Sequence, residues 1–365
     1  MKNVFIALLS LLYFQSAAQI KVPVKIDTTQ QQNMKLYQFI KTYMNQDTIS
    51  NALWRPEYKS KPFYDYNMDW IWSEYTPKKI SQKFDLELSE LQSINDTLSY
   101  FKLSAHSKPD KKSNTYTNVY KYYIVEINGK YYLDNCKAYD SKYFTSYKTK
   151  NISFYLSPFY TPDEKAMDHA SLELDSLVKL LKRPALNHPI EYYMCSNEGE
   201  LNNLANIVIW NGGLTGFTNS QDGYVVGIND NPSYQHEFIH AILKMGANCF
   251  FLQEGMAMLY GGGNKGKTSY IQGISDLKDC YKSGNCNFDK LYARKTDTKY
   301  SSILSYTFAA ACCKYIIDQY GMDFLYELYY DKNITSENFL EKLMQKTGKS
   351  KEQIRKSVEK LILSK

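Results

Sequence analysis

The feature that most restricts the fold is a change of periodicity near residue 148. Before it, period-two segments dominate. FDLEL at 84–88 alternates apolar and acidic residues, TLSYFKLSA follows, and YYIVEI and KYYL flank Asn128 and Gly129. That pair suits the positive φ angles of a tight primed hairpin turn. Upstream, NMKLYQFIKTYMN at 33–45 puts Tyr37, Ile40 and Met44 on one helical face. From Asn151 onward strands and helices alternate, and beyond residue 300 everything reads helical. One sheet or one bundle cannot absorb both regimes, so the expectation is an α+β protein with a small N-terminal domain over 19–148 and a second domain over 149–365. The second should hold a mixed sheet and a helical half, and 365 residues with 44% hydrophobic content are enough for two cores.

Within the second region, NISFYLS reads as a strand, and TPDE at 161–164 as a capping box with Pro162 in the first turn. The helix it opens carries Met167, Ala170, Leu174, Leu177 and Leu181 on one stripe. IEYYMC, IVIW and YVVGI read as strands and ELNNLAN as a helix, all assigned here to the second domain. ILSYTFAAACCKYIIDQY is a helix ending at Gly321, and SKEQ at 350–353 caps a final helix.

MKNVFIALLSLLYFQSAA places one lysine before a short apolar run and ends in small residues, the pattern of a secretory signal over 1–18 cut after Ala18. About eleven apolar residues fall short of the roughly 20 needed to span a bilayer, so no stable membrane insertion is expected once the signal is removed. The chain is therefore expected to be secreted or periplasmic. Seven cysteines then permit disulfides, and Cys280 and Cys286, joined by the short loop in DCYKSGNC, are the pair to bridge. Cys312 and Cys313 lie in the apolar run FAAACCKYII and read as buried thiols. The net charge of +6 is dispersed among 44 basic and 38 acidic residues without an arginine stripe or lysine block, which argues against nucleic acid as a partner.

The chemistry concentrates in QHEFIHAIL at 235–243. Residues four apart share a helical face, so His236 and His240 can aim two imidazoles at one point, with Glu237 one step round. Two neutral nitrogens about 2 Å from a zinc ion, a neighbouring carboxylate to take a proton from water and one open position are what hydrolysis at zinc requires. Asn231 and Pro232 would form the N-cap and first turn. Catalytic zinc usually has three protein ligands. FFLQEGMAMLY at 250–260 holds a lone carboxylate, Glu254, in an apolar helical setting, where burial without a cation or a pairing lysine or tyrosine would be costly.

HEFIH followed by LQEGMAMLY resembles the gluzincin zinc metallopeptidases, in particular the peptidase MA-like branch, and the likeness extends over about residues 150–365. The resemblance implies a thermolysin-like domain, Zn2+ as cofactor with His236, His240 and Glu254 as ligands, and Glu237 as general base. It also makes Tyr306, at the start of the late helix, the candidate to steady the oxyanion. Two departures stand out. Met258 occupies the place of the aspartate that orients the first histidine in thermolysin-type relatives, and the glycine-methionine-glutamate-asparagine signature of the aminopeptidases is missing, which favours an endopeptidase. The N-terminal domain, with its helix and the strand INGKYYL, looks like a cystatin or nuclear-transport-factor-like cone. Strand YVVGIND before the motif helix would be a sheet edge for an extended peptide.

GGGNKGKT at 261–268 satisfies a phosphate-loop spelling, but a phosphate loop leaves a strand, whereas a helix carrying Glu254 precedes this run. It reads as a helix C-cap and loop, and no nucleotide is expected. The function expected is exported, zinc-dependent hydrolysis of peptide or protein substrates. The alternative is a non-catalytic binding or assembly protein on the same scaffold.

Overall fold

The computed structural model describes residues 20–23, 25–48, 51–58, 76–108, 117–161, 163–210, 215–219, 223–228, 231–244, 246–263, 268–294 and 301–364. The expected signal over 1–18 and the middle of the glycine run at 264–267 lie outside them. The protein is mixed α+β, with two mixed sheets, and it divides into two compact units.

The first unit comprises residues up to Phe144 together with 197–214. Strands β1 (Ile20–Lys21), β2 (Phe84–Ser93), β3 (Leu98–Ser107), β4 (Thr117–Ile127) and β5 (Lys130–Asp134) pair in that order, with β1 parallel to β2 and the rest antiparallel. The β4–β5 turn has Asn128 at φ 53° and Gly129 at φ 73°, as the Asn-Gly pair demands. Helix α1 (Gln31–Met44) buries Leu36, Ile40, Tyr43 and Met44. Tyr37 is only half-buried, because its hydroxyl reaches out to the carbonyl of Ile20 at 3.2 Å. Short helices α2 (Pro77–Lys83) and α3 (Lys137–Asp140) complete the first stretch. The boundary near 148 needs correction, as does the assignment of 197–214. Helix α5 (Glu198–Leu204) and strand β9 (Ile207–Ile209) belong to this unit, and β9 pairs antiparallel with β4. The side chain of Asn206 supports this return, accepting from the amide of Cys136 at 2.8 Å and donating to Asn135 at 2.6 Å.

The second unit, 145–196 and 215–365, has a sheet ordered β10 (Gly216–Asn219), β11 (Tyr224–Ile228), β8 (Ile190–Cys195), β7 (Ile152–Leu156), β6 (Thr145–Lys148). The three inner strands are parallel and both outer ones antiparallel. YVVGI is thus an inner strand, and the edge is β10, so the expected edge shifts by one strand. Helix α4 (Glu164–Leu180) buries Met167, Ala170, Leu174 and Leu177 as its pattern predicts, but its N-cap is Asp163, which accepts from the amide of Ala166 at 3.0 Å. Aspartate is the stronger N-cap of the two, its ionised carboxylate accepting the amide where Thr161 would offer a hydroxyl.

Helices α6 (Gln235–Leu243), α7 (Phe250–Gly261), α8 (Tyr270–Lys282), α9 (Phe288–Tyr292), α10 (Ser301–Tyr329), α11 (Phe339–Thr347) and α12 (Lys351–Ser364) follow. Gly321 breaks α10 at φ 88°, where the first of its two helical runs was expected to stop. Ser350 and Gln353 exchange side-chain bonds with each other's amides and start α12. Cys280 and Cys286 form a disulfide with Cα atoms 5.3 Å apart, while Cys312 and Cys313 are buried free thiols. Among the described residues no helix is long and apolar enough to cross a membrane.

Candidate metal centre

Helix α7 is apolar around most of its circumference and buries Phe251, Leu252, Met256, Ala257 and Met258, so it runs through the unit's interior rather than over its surface. Two glycines let other backbones approach it. A Cβ on Gly255 would stand 2.6 Å from the carbonyl oxygen of Ala309 in α10, and one on Gly261 would stand 2.5 Å from the amide nitrogen of His236 in α6. The glycine after the glutamate in the QEG sequence is therefore required by helix packing. Helix α6 starts at Gln235, not at Asn231, whose side chain instead accepts from the amide of Ser233 at 2.9 Å.

This packing brings three predicted residues together. The ligand atoms of His236, His240 and Glu254 all lie within 4.8 Å of one another. Oε2 of Glu254 is 3.2 Å from Nε2 of His236 and 3.6 Å from Nε2 of His240. Bonds of about 2 Å at a tetrahedral angle place neighbouring ligand atoms roughly 3.3 Å apart, so both separations fit a small divalent ion. Glu254 is only 2% exposed, yet its facing partners are imidazoles that are cationic only when protonated. The three residues form a group that could bind a metal ion.

Electrostatics describe the metal-free arrangement. Burial by itself would raise Glu254, but the charge of His240 and hydrogen bonds from both imidazoles hold it well below the usual carboxylate range. Burial likewise disfavours a charged His236, yet the hydrogen bond and charge of Glu254 outweigh it and lift that imidazole to about 9. Nδ1 of His236 lies 2.7 Å from the carbonyl oxygen of Gly262. A carbonyl only accepts, so Nδ1 carries a proton, and in the neutral ring Nε2 is left with its lone pair toward Glu254. This backbone contact supplies the orienting role that Met258, itself buried and apolar, cannot.

Glu237 is buried beside the ligands. Its Oε2 accepts from the hydroxyl of Thr218 at 2.7 Å, and the same hydroxyl lies 3.0 Å from the Glu237 carbonyl oxygen. Thr218 sits on edge strand β10 and was not singled out in the sequence, where nothing distinguishes it from other threonines. Tyr306 is half-buried in α10 with its ring 6.0 Å from that of His236 and 5.3 Å from Phe250. The charge of Glu254, then burial, then Glu237 push its phenol well above the ordinary range, so it stays a neutral donor.

The glycine run at 261–268 follows helix α7, whose C-cap is Gly262 at φ 73°, and Gly263 and Thr268 exchange backbone hydrogen bonds of 2.8 and 3.1 Å. A cavity of about 650 Å³ beside the first turn of α6 is lined by Glu173, Gln235, Gly262, Tyr270 and Lys314, among others, but by none of the three candidate ligands nor by Glu237. Ligand geometry, rather than cavity shape, therefore marks the site. Comparison with known protein families, curated proteins and solved structures finds no match to this chain.

Proposed function

We propose that this chain is an exported zinc peptidase of the gluzincin type, with a thermolysin-like catalytic domain in its second unit. The observation that carries the reading is the meeting of His236, His240 and Glu254 with Glu237 held alongside by Thr218. Nitrogen and carboxylate donors at these spacings favour zinc over calcium or magnesium, which take oxygen ligands in larger number. When bound, the ion supplies Lewis acidity to a scissile carbonyl and to a water. The buried Glu237 carboxylate accepts the proton of the attacking water and returns it to the leaving amine. The Tyr306 hydroxyl, kept protonated, donates to the oxygen on which charge develops. Strand β10, at the end of its sheet among the described residues, would offer backbone groups to an extended peptide substrate. The Cys280–Cys286 disulfide suits an oxidising compartment outside the cytoplasm. The test compares zinc content and hydrolysis of a mixed peptide library for the wild type and Glu237→Gln. Zinc should be retained at one per chain while turnover falls by roughly 10²–10⁴-fold. Equal turnover in the two proteins, or none in the wild type with zinc bound, removes the catalytic assignment and leaves a metal-binding scaffold.

A further inference from the structure

Three contacts lead outward from the metal centre. His236 meets Tyr306 with ring centres 6.0 Å apart, Tyr306 meets Phe250 edge-on at 5.3 Å, and the guanidinium of Arg294 lies over the Phe250 ring at 4.9 Å from its centre. Arg294 follows α9 and is exposed. No side-chain acceptor among the described residues lies within hydrogen-bond or ion-pair distance of its guanidinium. The acidic neighbour that feels its charge, Glu337, is exposed and takes its own hydrogen bond from Thr335. The ring beneath it supports one face of the planar group, and among the described residues its N–H edges meet no side-chain acceptor.

Tyr306 stands between this cation and the centre, its ring meeting that of His236 on one side and that of Phe250 on the other. We propose that Arg294 is a specificity-determining residue whose guanidinium captures a carboxylate on the peptide occupying the metal centre, making acidic peptides the favoured substrate class. A guanidinium binds a carboxylate through two parallel N–H donors, which a lysine cannot reproduce. This inference rests on the peptidase reading, so its test measures binding separately from turnover.

The host is the zinc-loaded, full-length Glu237→Gln protein, which does not consume its ligand. The probes are octapeptides with otherwise uncharged side chains carrying one glutamate at each position in turn, with glutamine and lysine counterparts. At one or two positions glutamate should bind about tenfold tighter than glutamine. Arg294→Gln should erase that ratio, Arg294→Lys should keep part of it, and Arg294→Glu should shift the preference toward a lysine at the same position. Equal binding of the glutamate and glutamine series, a preference surviving Arg294→Gln, or no binding by any peptide overturns the proposal. If the preference appears but the wild type leaves the same peptides uncut, the role of Arg294 stands and the peptidase reading falls.

Discussion

Asp134 in the first unit and Glu254 in the second are both buried carboxylates, and they are equipped in opposite ways. Asp134 in the first unit is fully enclosed and saturated by donors: Arg55 Nη1 at 2.8 Å, the hydroxyls of Tyr58 at 2.7 Å and Tyr139 at 2.8 Å, and the Asn135 amide at 2.9 Å. Its charge is answered by a permanent cation that also pairs with Glu57 at 2.7 Å. Glu254 in the second unit is equally enclosed but faces two imidazoles, whose charge depends on protonation. A carboxylate closed off by fixed donors belongs to the architecture. One that faces only convertible donors is left ready for an exchangeable cation.

Asp134→Ala tests the first of these carboxylates directly. It strands two phenols, an amide and a partly exposed guanidinium, so it should cost about 3 kcal/mol in urea unfolding while zinc content stays at the wild-type level. Loss of zinc with little loss of stability would reverse the roles assigned to the two acids. Next in size, Glu254→Gln should weaken zinc binding by more than about 100-fold, read by competition with a chromophoric chelator, and cost the metal-free protein about 1 kcal/mol or less. The pH dependence supplies a third test. The metal-free His236 is raised from 6.5 to about 9, so the stability it brings is complete below pH 6.5 and disappears as pH rises through about 9. Zinc requires the neutral ring, so its affinity climbs over that same interval. Urea midpoints at pH 6 and pH 9, with and without chelator, should move in opposite directions, and Glu254→Gln should lose the metal-free slope.

Much of the centre was legible because helical spacing is local. His236 and His240 fall on one face by arithmetic, and Glu254 stands out as a lone charge in an apolar helix. The short Cys280–Cys286 loop and the Asn-Gly hairpin were legible for the same reason. The return of residues 197–214 to the first sheet was not, since the partner of β9 lies more than eighty positions upstream and IVIW looks alike in either sheet. Strand β10 escaped notice because GFTN is short and lies within a glycine-rich stretch, and with it went Thr218. The Gly262 carbonyl that orients His236 belongs to the backbone, so no residue identity could announce it.

Gly255 and Gly261 deserve one last consequence. With hydrogen atoms where side chains would stand, α7 meets its neighbours main chain to main chain, a junction with almost no give. The separation between the main chains that carry His236 and Glu254 is thereby set by backbone contact, and any side chain at position 261 would push the two helices apart.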